Sequence, residues 1–157
     1  MKICLIYMGK TESGYLPDGI DVFITRLKHY IPVDVLIIPD LKKAKGLPVG
    51  ERKRLEGEVI LKQVKNTDIL VLLDENGEQY TSTGFAGFLQ NQMNAGTKRL
   101  VFVVGGAFGF SPEVYQQSKY KLSLSKMTFS HQMVRLFFVE QLYRAFTIIK
   151  GEPYHNE

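Results

Sequence analysis

Cysteine and long hydrophobic runs are scarce in this sequence of 157 residues. Its single cysteine, Cys4, rules out a disulfide within the chain and any site with several cysteine ligands. Cys4 stands in a short apolar run, where we expect it to be a small buried hydrophobic residue. The longest apolar stretch, 100–110, contains three glycines and is well short of the roughly 18 residues that a membrane span needs. The N-terminal run has neither the length nor the cleavage site of a secretory signal, so we expect a soluble, cytoplasmic protein.

Short motifs of metal, nucleotide and hydrolase chemistry are also missing. The three histidines lie too far apart for a zinc motif, so we predict no metal. The glycines at 105–109 do not match the dinucleotide pattern and follow the fourth predicted strand instead of the first. Segment 109–113 lacks the second glycine of a nucleophile elbow. These absences leave the common nucleotide-binding and serine-hydrolase sites without support.

Composition and length are those of an ordinary globular domain. Apolar residues make up 45% of the chain and charged residues 23%, which excludes intrinsic disorder and low complexity. Twenty basic and sixteen acidic residues give a net charge of +4, which tolerates a polyanionic partner without requiring one. With no repeat and no linker, residues 1–157 are predicted to form a single domain.

Apolar periodicity predicts an α/β fold. Short apolar runs indicate strands buried on both faces, as in a parallel sheet, at 2–8, 33–38, 69–73, 100–104 and 120–124. Helical spacing between them indicates helices around 20–27, 51–64 and 85–93, and Ser111-Pro112-Glu113 is a favourable helix start. Alternation of this kind predicts a mostly parallel sheet flanked by helices.

The last predicted helix, 132–150, is apolar around most of its circumference. Such a helix must be covered on nearly all sides. A second copy of the chain would cover the side that a five-stranded domain leaves open, since two-fold dimers are the commonest oligomers. The alternative is a helix wedged into its own core.

Three segments should meet at the carboxyl edge of the sheet, where open α/β sheets bind ligands. They are 73–77 after the third strand, 105–109 after the fourth, and 123–129 between the fifth strand and the last helix. Taken alone, the glycine pair Gly105-Gly106 also fits a simple tight turn. The polar tail 151–157 would by default be a frayed terminus.

Four ordered motifs, at 103–109, 122–132, 140–145 and 153–155, resemble the large-subunit ribosomal RNA methyltransferase H family of the SPOUT superfamily. The opening Lys2-Ile3 strand and Leu73-Asp74 fit as well, so the resemblance spans the whole chain. It implies an S-adenosylmethionine-dependent homodimeric enzyme with a SPOUT-type α/β knot, a C-terminal trefoil knot. It also implies methylation of N3 of a pseudouridine in 23S-type large-subunit rRNA on the assembled ribosome, a partner's residues completing each site.

The resemblance places the cofactor among the three edge segments. Its contacts, carried over by position, would be Leu73, Gly105, Leu124, Ser125, Lys126, Met127, Thr128 and Phe129.

The resemblance also points to the residues of methyl transfer. Arg144 would stabilise the N3 anion of the pseudouridine, and His155 would act as a base or an orienting donor. Tyr154 would stack on the base or hydrogen-bond it, Glu140 would hold Arg144, and His131 would order the cofactor loop or contact RNA. Glu140 and Arg144 equally fit a plain helix pair worth about 0.2–0.5 kcal/mol.

Three positions depart from the family pattern. Ser130 stands where proline is usual, which we expect to loosen the start of the last helix. Glu78 and Asn156 stand where the family often has basic residues, so RNA contacts are affected more than the cofactor site. The remaining basic candidates equally fit a solvated face: Lys10, Lys42, Lys43, Lys45, Arg52, Lys53 and Arg54.

Two other functions stay open on the sequence. One is a methyltransferase of the same fold that acts on another RNA, such as tRNA. The other is a non-catalytic ribosome-binding factor that has lost the cofactor.

Overall fold

One sheet of five parallel strands organises residues 1–156, the part of the chain that this computed structural model describes. The strands are β1 (Lys2–Met8), β2 (Val33–Ile38), β3 (Ile69–Gln79), β4 (Arg99–Val104) and β5 (Tyr120–Ser123). The helices are α1 (Tyr15–Leu27), α2 (Val49–Lys62), α3 (Ser82–Asn94), α4 (Pro112–Gln117) and α5 (His131–Lys150), with a short 3₁₀ turn at Lys42–Ala44. The strand order is β2-β1-β4-β3-β5, and every pair is parallel. The predicted α/β fold is therefore confirmed; the trefoil knot stays a prediction.

Two apolar cores lie on opposite faces of the sheet. Alternate residues of the central strands enter each core: Leu5 of β1 faces α1, α3 and α5, whereas Ile6 faces α2 and α4. Strands β1 and β4 are buried on both faces and consist of unbroken apolar runs, which is why the sequence located them within one residue. The prediction that 33–38 is buried on both faces was wrong, because β2 lies at the edge of the sheet and leaves Val35 and Ile37 exposed. Cys4, 1% exposed, is buried as predicted. None of the helices within residues 1–156 has the length and hydropathy to cross a membrane.

Helix α5 is covered mainly by its own chain. Its residues Phe138, Val139, Leu142 and Ala145 are fully buried in the core that α1, α3 and the sheet form. The alternative of a helix wedged into its own core thus explains most of the apolar circumference. Phe137, 42% exposed, is the large apolar residue of α5 that remains open.

Strand β3 is longer than predicted, because it resumes after a bulge. Leu73 and Glu78 both pair with Leu122 of β5, so residues 74–77 loop out of the ladder between them. The charged residues in this stretch interrupt the apolar run, so a prediction based on hydrophobicity ends the strand before its second half. Gly77 lies directly against β5: an added Cβ would stand 2.6 Å from the backbone nitrogen of Leu122.

We expect Gly77→Ala to lower the free energy of unfolding by about 1–3 kcal/mol, since the new methyl group meets backbone that cannot turn away. Gly87→Ala is the matched control. Gly87 lies inside α3 with nothing within 4 Å of an added Cβ. Alanine there should stabilise the helix by roughly 0.5–1 kcal/mol. Urea unfolding of both variants checks this prediction, and equal stability would contradict it.

Candidate functional site

A cavity of about 430 Å³ opens at the carboxyl ends of β3, β4 and β5. The three segments predicted to meet at this edge, 73–77, 105–109 and 123–129, all contribute residues to its lining. His131 and Val134, at the start of α5, complete the wall. The volume lies in the range typical of sites for small molecules and cofactors.

Seven of the eight residues predicted to contact the cofactor line this cavity. They are Leu73, Gly105, Leu124, Ser125, Met127, Thr128 and Phe129. Lys126 is exposed and does not contribute to the lining, so its contact with a cofactor stays a prediction without support from the cavity. Within residues 1–156, no group of three or more histidine, cysteine or acidic side chains is arranged to hold a metal ion.

Tyr115 is a lining residue that the sequence reasoning missed, and its partner Asp74 belongs to the predicted edge segment 73–77 without having been proposed as a cofactor contact. The Tyr115 hydroxyl donates a hydrogen bond to one carboxylate oxygen of Asp74, and the other oxygen accepts from the backbone N–H of Asn76. Burial and the bond to Asp74 raise the pKa of Tyr115 to about 12, so the phenol stays a donor at neutral pH. This pair ties α4 to the bulge of β3 and fixes a carboxylate in the cavity wall. The helix-start signal at Ser111 placed α4 correctly but could not show which face meets the cavity.

The glycine segment 105–109 involves two aromatic rings, one packed behind it and one on the rim of the cavity. An added Cβ on Gly105 would come within 2.9 Å of the Phe110 ring, so only glycine fits there without a shift. On the rim, the guanidinium carbon of Arg52 in α2 lies 5.3 Å from the ring centroid of Phe108. Arg52 also forms an ion pair of 3.1 Å with Glu56.

Serine side chains shape the last lining segment. The Ser123 hydroxyl donates to the carbonyl of Ser125, and the Ser125 hydroxyl accepts from the backbone N–H of Met127. Ser130 caps α5 by accepting from the N–H of Met133 at 3.2 Å. The expectation that Ser130 loosens the start of α5 was therefore wrong, because its hydroxyl satisfies an N–H that proline would leave unpaired.

A second cluster of polar residues lies near the other end of α5. Arg144 donates to Glu140 at 2.6 Å and lies 3.3 Å from Nδ1 of His155. Its guanidinium carbon stands 4.8 Å from the ring centroid of Tyr154, and the Tyr154 hydroxyl donates to Glu140. The structure thus brings together all four residues proposed for methyl transfer; their roles stay a prediction. We refer to these four residues as the tail cluster.

Protonation within the tail cluster follows from its geometry. A guanidinium only donates, so Nδ1 of His155 accepts in the contact with Arg144 and the imidazole proton lies on Nε2. Burial, together with the hydrogen bond to Glu140, raises the pKa of Tyr154 above its ordinary value. Because Nδ1 of His155 accepts from Arg144, the geometry favours the orienting role over the base for His155.

The C-terminal segment is held against the fold instead of frayed. Tyr154 packs edge-on against Tyr143 with ring centroids 4.7 Å apart, and the Tyr30 hydroxyl donates to Glu152. Helix α5 ends at Lys150 and is followed by Gly151, whose φ of 69° is in the left-handed region that favours glycine. The default expectation of a frayed tail was wrong for residues 152–155, because aromatic packing and hydrogen bonds fix their direction.

Arg135 anchors the first half of α5 in a way that the sequence did not reveal. Its side chain is fully buried, and the guanidinium donates to the carbonyls of Met8 and Gly9 and to the Thr11 hydroxyl. It also lies 4.9 Å from the ring centroid of Tyr7. Arg135 therefore joins the loop after β1 to the part of α5 that lines the cavity.

Comparison with known proteins places this architecture in a family. Residues 1–155 match the family described as "Predicted SPOUT methyltransferase". A protein of Christiangramia forsetii is 57% identical over 156 residues, 99% of each chain. Proteins of Parabacteroides distasonis and Bacteroides thetaiotaomicron are 54% and 49% identical over the full length of both chains. All three relatives carry the name "Ribosomal RNA large subunit methyltransferase H". Because these matches cover nearly every residue, the chain belongs to the SPOUT methyltransferase family.

Proposed function

We propose that this protein is an S-adenosylmethionine-dependent methyltransferase that methylates N3 of a pseudouridine in large-subunit rRNA on the assembled ribosome, and that it acts as a homodimer. The observation that carries the proposal is the full-length identity of 54–57% with relatives named for a methyltransferase of large-subunit rRNA. The cavity and the tail cluster add a chemical rationale for the two halves of that activity. The trefoil knot implied by the resemblance belongs to the same proposal.

The cavity fits a cofactor that carries an adenine, a ribose and a positively charged sulfur. Apolar walls such as Leu124 and Phe129 suit the adenine, and the carboxylate of Asp74 suits the positive charge. Glycine at 105 keeps this part of the lining packed against the Phe110 ring, which an added Cβ would push away. When bound, S-adenosylmethionine supplies an electrophilic methyl group on a sulfonium.

The tail cluster supplies what the nucleophile needs. N3 of pseudouridine must lose its proton before it attacks, and Arg144 offers a fixed cation beside the anion that forms. Glu140 holds the guanidinium through its 2.6 Å contact, and Nδ1 of His155 accepts from the same guanidinium. The roles of these residues are positioning and charge stabilisation, because an in-line methyl transfer requires no covalent bond to the protein.

One chain cannot join its own cavity to its own tail cluster. Val134 lines the cavity and Arg144 lies ten residues further along α5, a separation of about 15 Å at roughly 1.5 Å per residue. A second copy that brings its tail cluster to the first chain's cavity would close this gap. The exposed apolar side chains of Met127, Phe129 and Phe137 border the cavity end of α5 and would be covered by that copy. This geometry supports the homodimer better than the apolar circumference of α5 does.

The charge of Asp74 gives a prediction about the cofactor. We expect Asp74→Asn to weaken binding of S-adenosylmethionine about five-fold or more, because a carboxylate attracts the sulfonium. S-adenosylhomocysteine lacks that charge on sulfur and should lose less affinity. Calorimetric titration with both ligands measures the ratio, with Glu113→Gln, an exposed carboxylate outside the cavity, as the control. An equal loss for both ligands would contradict the electrostatic role of Asp74.

Methyl transfer to ribosomes from a strain lacking the enzyme tests the proposed function. We expect one methyl group per ribosome at N3 of one pseudouridine, and poor methylation of a short rRNA stem-loop, since phosphate contacts alone bind weakly at physiological salt. Efficient methylation of the isolated stem-loop would contradict the requirement for the ribosome. A modified nucleotide mapped to tRNA would contradict the rRNA target, and failure to bind S-adenosylmethionine would indicate a non-catalytic factor.

A further inference from the structure

The positive charge of this chain is concentrated in one segment. Residues 42–54 contain six basic residues and one acidic residue, a net charge of +5, whereas the whole chain carries +4. All other residues together therefore carry a net charge of −1. We refer to residues 42–54 as the basic segment. A local excess of this size creates a positive surface on a protein whose overall charge is mild.

The basic segment lies at the same edge of the sheet as the cavity. It begins four residues after the carboxyl end of β2, includes the 3₁₀ turn at Lys42–Ala44 and ends within α2. Lys10, exposed beyond the end of β1, adds a charge at the same edge, because Met8 and Ile38 are paired in register.

The basic segment also borders the cavity itself. Arg52 stacks on Phe108 of the cavity rim, and the Glu56 carboxylate would lie 3.4 Å from a Cβ on Gly106. The start of α2 is therefore fixed beside the cavity by contacts with its glycine segment.

Three of the four lysines of the segment are available to a partner, whereas its arginines are engaged within α2. Arg52 pairs with Glu56, and Arg54 pairs with Glu58 at 2.5 Å. Lys42, Lys43 and Lys45 are exposed, and in the described part of the chain none of them belongs to an ion pair. The ammonium group of an exposed lysine without an ion-pair partner is restrained by little more than its flexible aliphatic side chain. Such groups can therefore follow the spacing of a partner's charges.

We propose that the basic segment binds the sugar-phosphate backbone of rRNA next to the nucleotide that enters the cavity. This inference rests on the proposed function, because it takes rRNA as the substrate, and it adds the surface that holds it. Lysine contacts to phosphate fix the position of a nucleic acid without reading its sequence. Lys42, Lys43 and Lys45 thus act as positioning residues that set how the rRNA approaches the cavity.

The salt dependence of ribosome binding tests this proposal. For the variant Lys42→Ala/Lys43→Ala/Lys45→Ala we expect the slope of log Kobs against log salt to become shallower by about 3, roughly 1 per lost phosphate contact. Affinity for ribosomes at about 0.1 M salt should fall roughly ten-fold or more. The affinity for S-adenosylmethionine, measured by calorimetry, should be unchanged, which also shows that the variant is folded. The matched control is Lys28→Ala/Lys65→Ala/Lys98→Ala, which removes the same charge from exposed positions at the opposite edge of the sheet.

The possible outcomes separate this inference from the proposed function. A wild-type protein that binds and methylates ribosomes, with equal slopes for the two triple variants, would overturn the inference and leave the function intact. A wild-type protein that neither binds nor methylates ribosomes would contradict both. Repeating the titration with protein-free large-subunit rRNA identifies the partner. A slope that changes with ribosomes but not with bare rRNA would contradict the phosphate contact and point to an acidic ribosomal protein.

Discussion

Replacement of Arg144 by alanine should reduce methyl transfer to ribosomes by roughly 10²–10³-fold, the usual cost of removing one preorganised group that stabilises developing charge. The affinity for S-adenosylmethionine should be unchanged, because Arg144 lies about 15 Å along α5 from the cavity of its own chain. Transfer of a labelled methyl group and calorimetric binding measure the two effects separately. Lys62→Ala, in the exposed last turn of α2, is the control for loss of a helical cation.

Two further variants distinguish catalysis from helix stability. Arg144→Lys keeps the charge but not the fork that contacts both Glu140 and His155, so we expect an intermediate rate. His155→Ala leaves the ion pair with Glu140 in place and should still lower the rate. Undiminished transfer in both Arg144→Ala and His155→Ala would contradict a role of the tail cluster in methyl transfer. The ion pair between Glu140 and Arg144 would then be only a contact within α5.

The second large effect concerns stability and comes from Arg135. We expect Arg135→Ala to lower the free energy of unfolding by about 2–5 kcal/mol, because each buried polar group left without a partner costs about 1–3 kcal/mol and removal of a large buried side chain adds a cavity. The variant leaves the carbonyls of Met8 and Gly9 without a donor and opens a cavity beside Tyr7. Urea unfolding at one fixed protein concentration measures it, since association of two copies adds to apparent stability.

Arg54→Ala is the matched control, because Arg54 is half exposed and pairs only with acidic residues of its own helix. Its loss should cost at most about 1 kcal/mol. If Arg135→Ala does not fold, Arg135→Lys offers a milder change that keeps the charge and loses part of the hydrogen bonding. A loss below about 1 kcal/mol in Arg135→Ala would show that water replaces the guanidinium and that the loop after β1 does not depend on it.

The central strands were predictable from sequence because a strand that is buried on both faces consists of consecutive apolar residues. β1 and β4 are unbroken apolar runs, and their limits were predicted to within one residue. Convergence of the three edge segments was predictable for a related reason, since the carboxyl ends of parallel strands share one edge.

Features that depend on tertiary contacts were not predictable. The continuation of β3 past its bulge depends on Gly77 lying against β5, and its charged residues look like a loop. Arginine is usually a surface residue, and Arg135 is buried only because the end of β1 and the loop after it offer three acceptors. Tyr115 enters the cavity through the orientation of α4, which no local pattern encodes.

The tail cluster shows what a resemblance adds to physical reasoning. Spacing alone supports only a helix pair between Glu140 and Arg144, and the tail residues Tyr154 and His155 carry no periodic signal. The resemblance singled out these four residues, and the structure places them in one hydrogen-bonded group. It also locates that group far from the cavity of its own chain, which makes the second copy necessary for the proposed chemistry.

Complementation between two inactive variants tests the shared site most directly. Asp74→Arg puts a positive charge in the cavity of its chain, where the sulfonium would bind, and His155→Ala disables the tail cluster of its chain; each should be inactive alone. After the two are unfolded and refolded together, random pairing makes half of the dimers mixed, and each mixed dimer has one intact site, so we predict recovery of roughly a quarter of wild-type transfer. Mixed dimers that form, as shown by tags of different mass, and yet transfer no methyl group would contradict a site built from two chains.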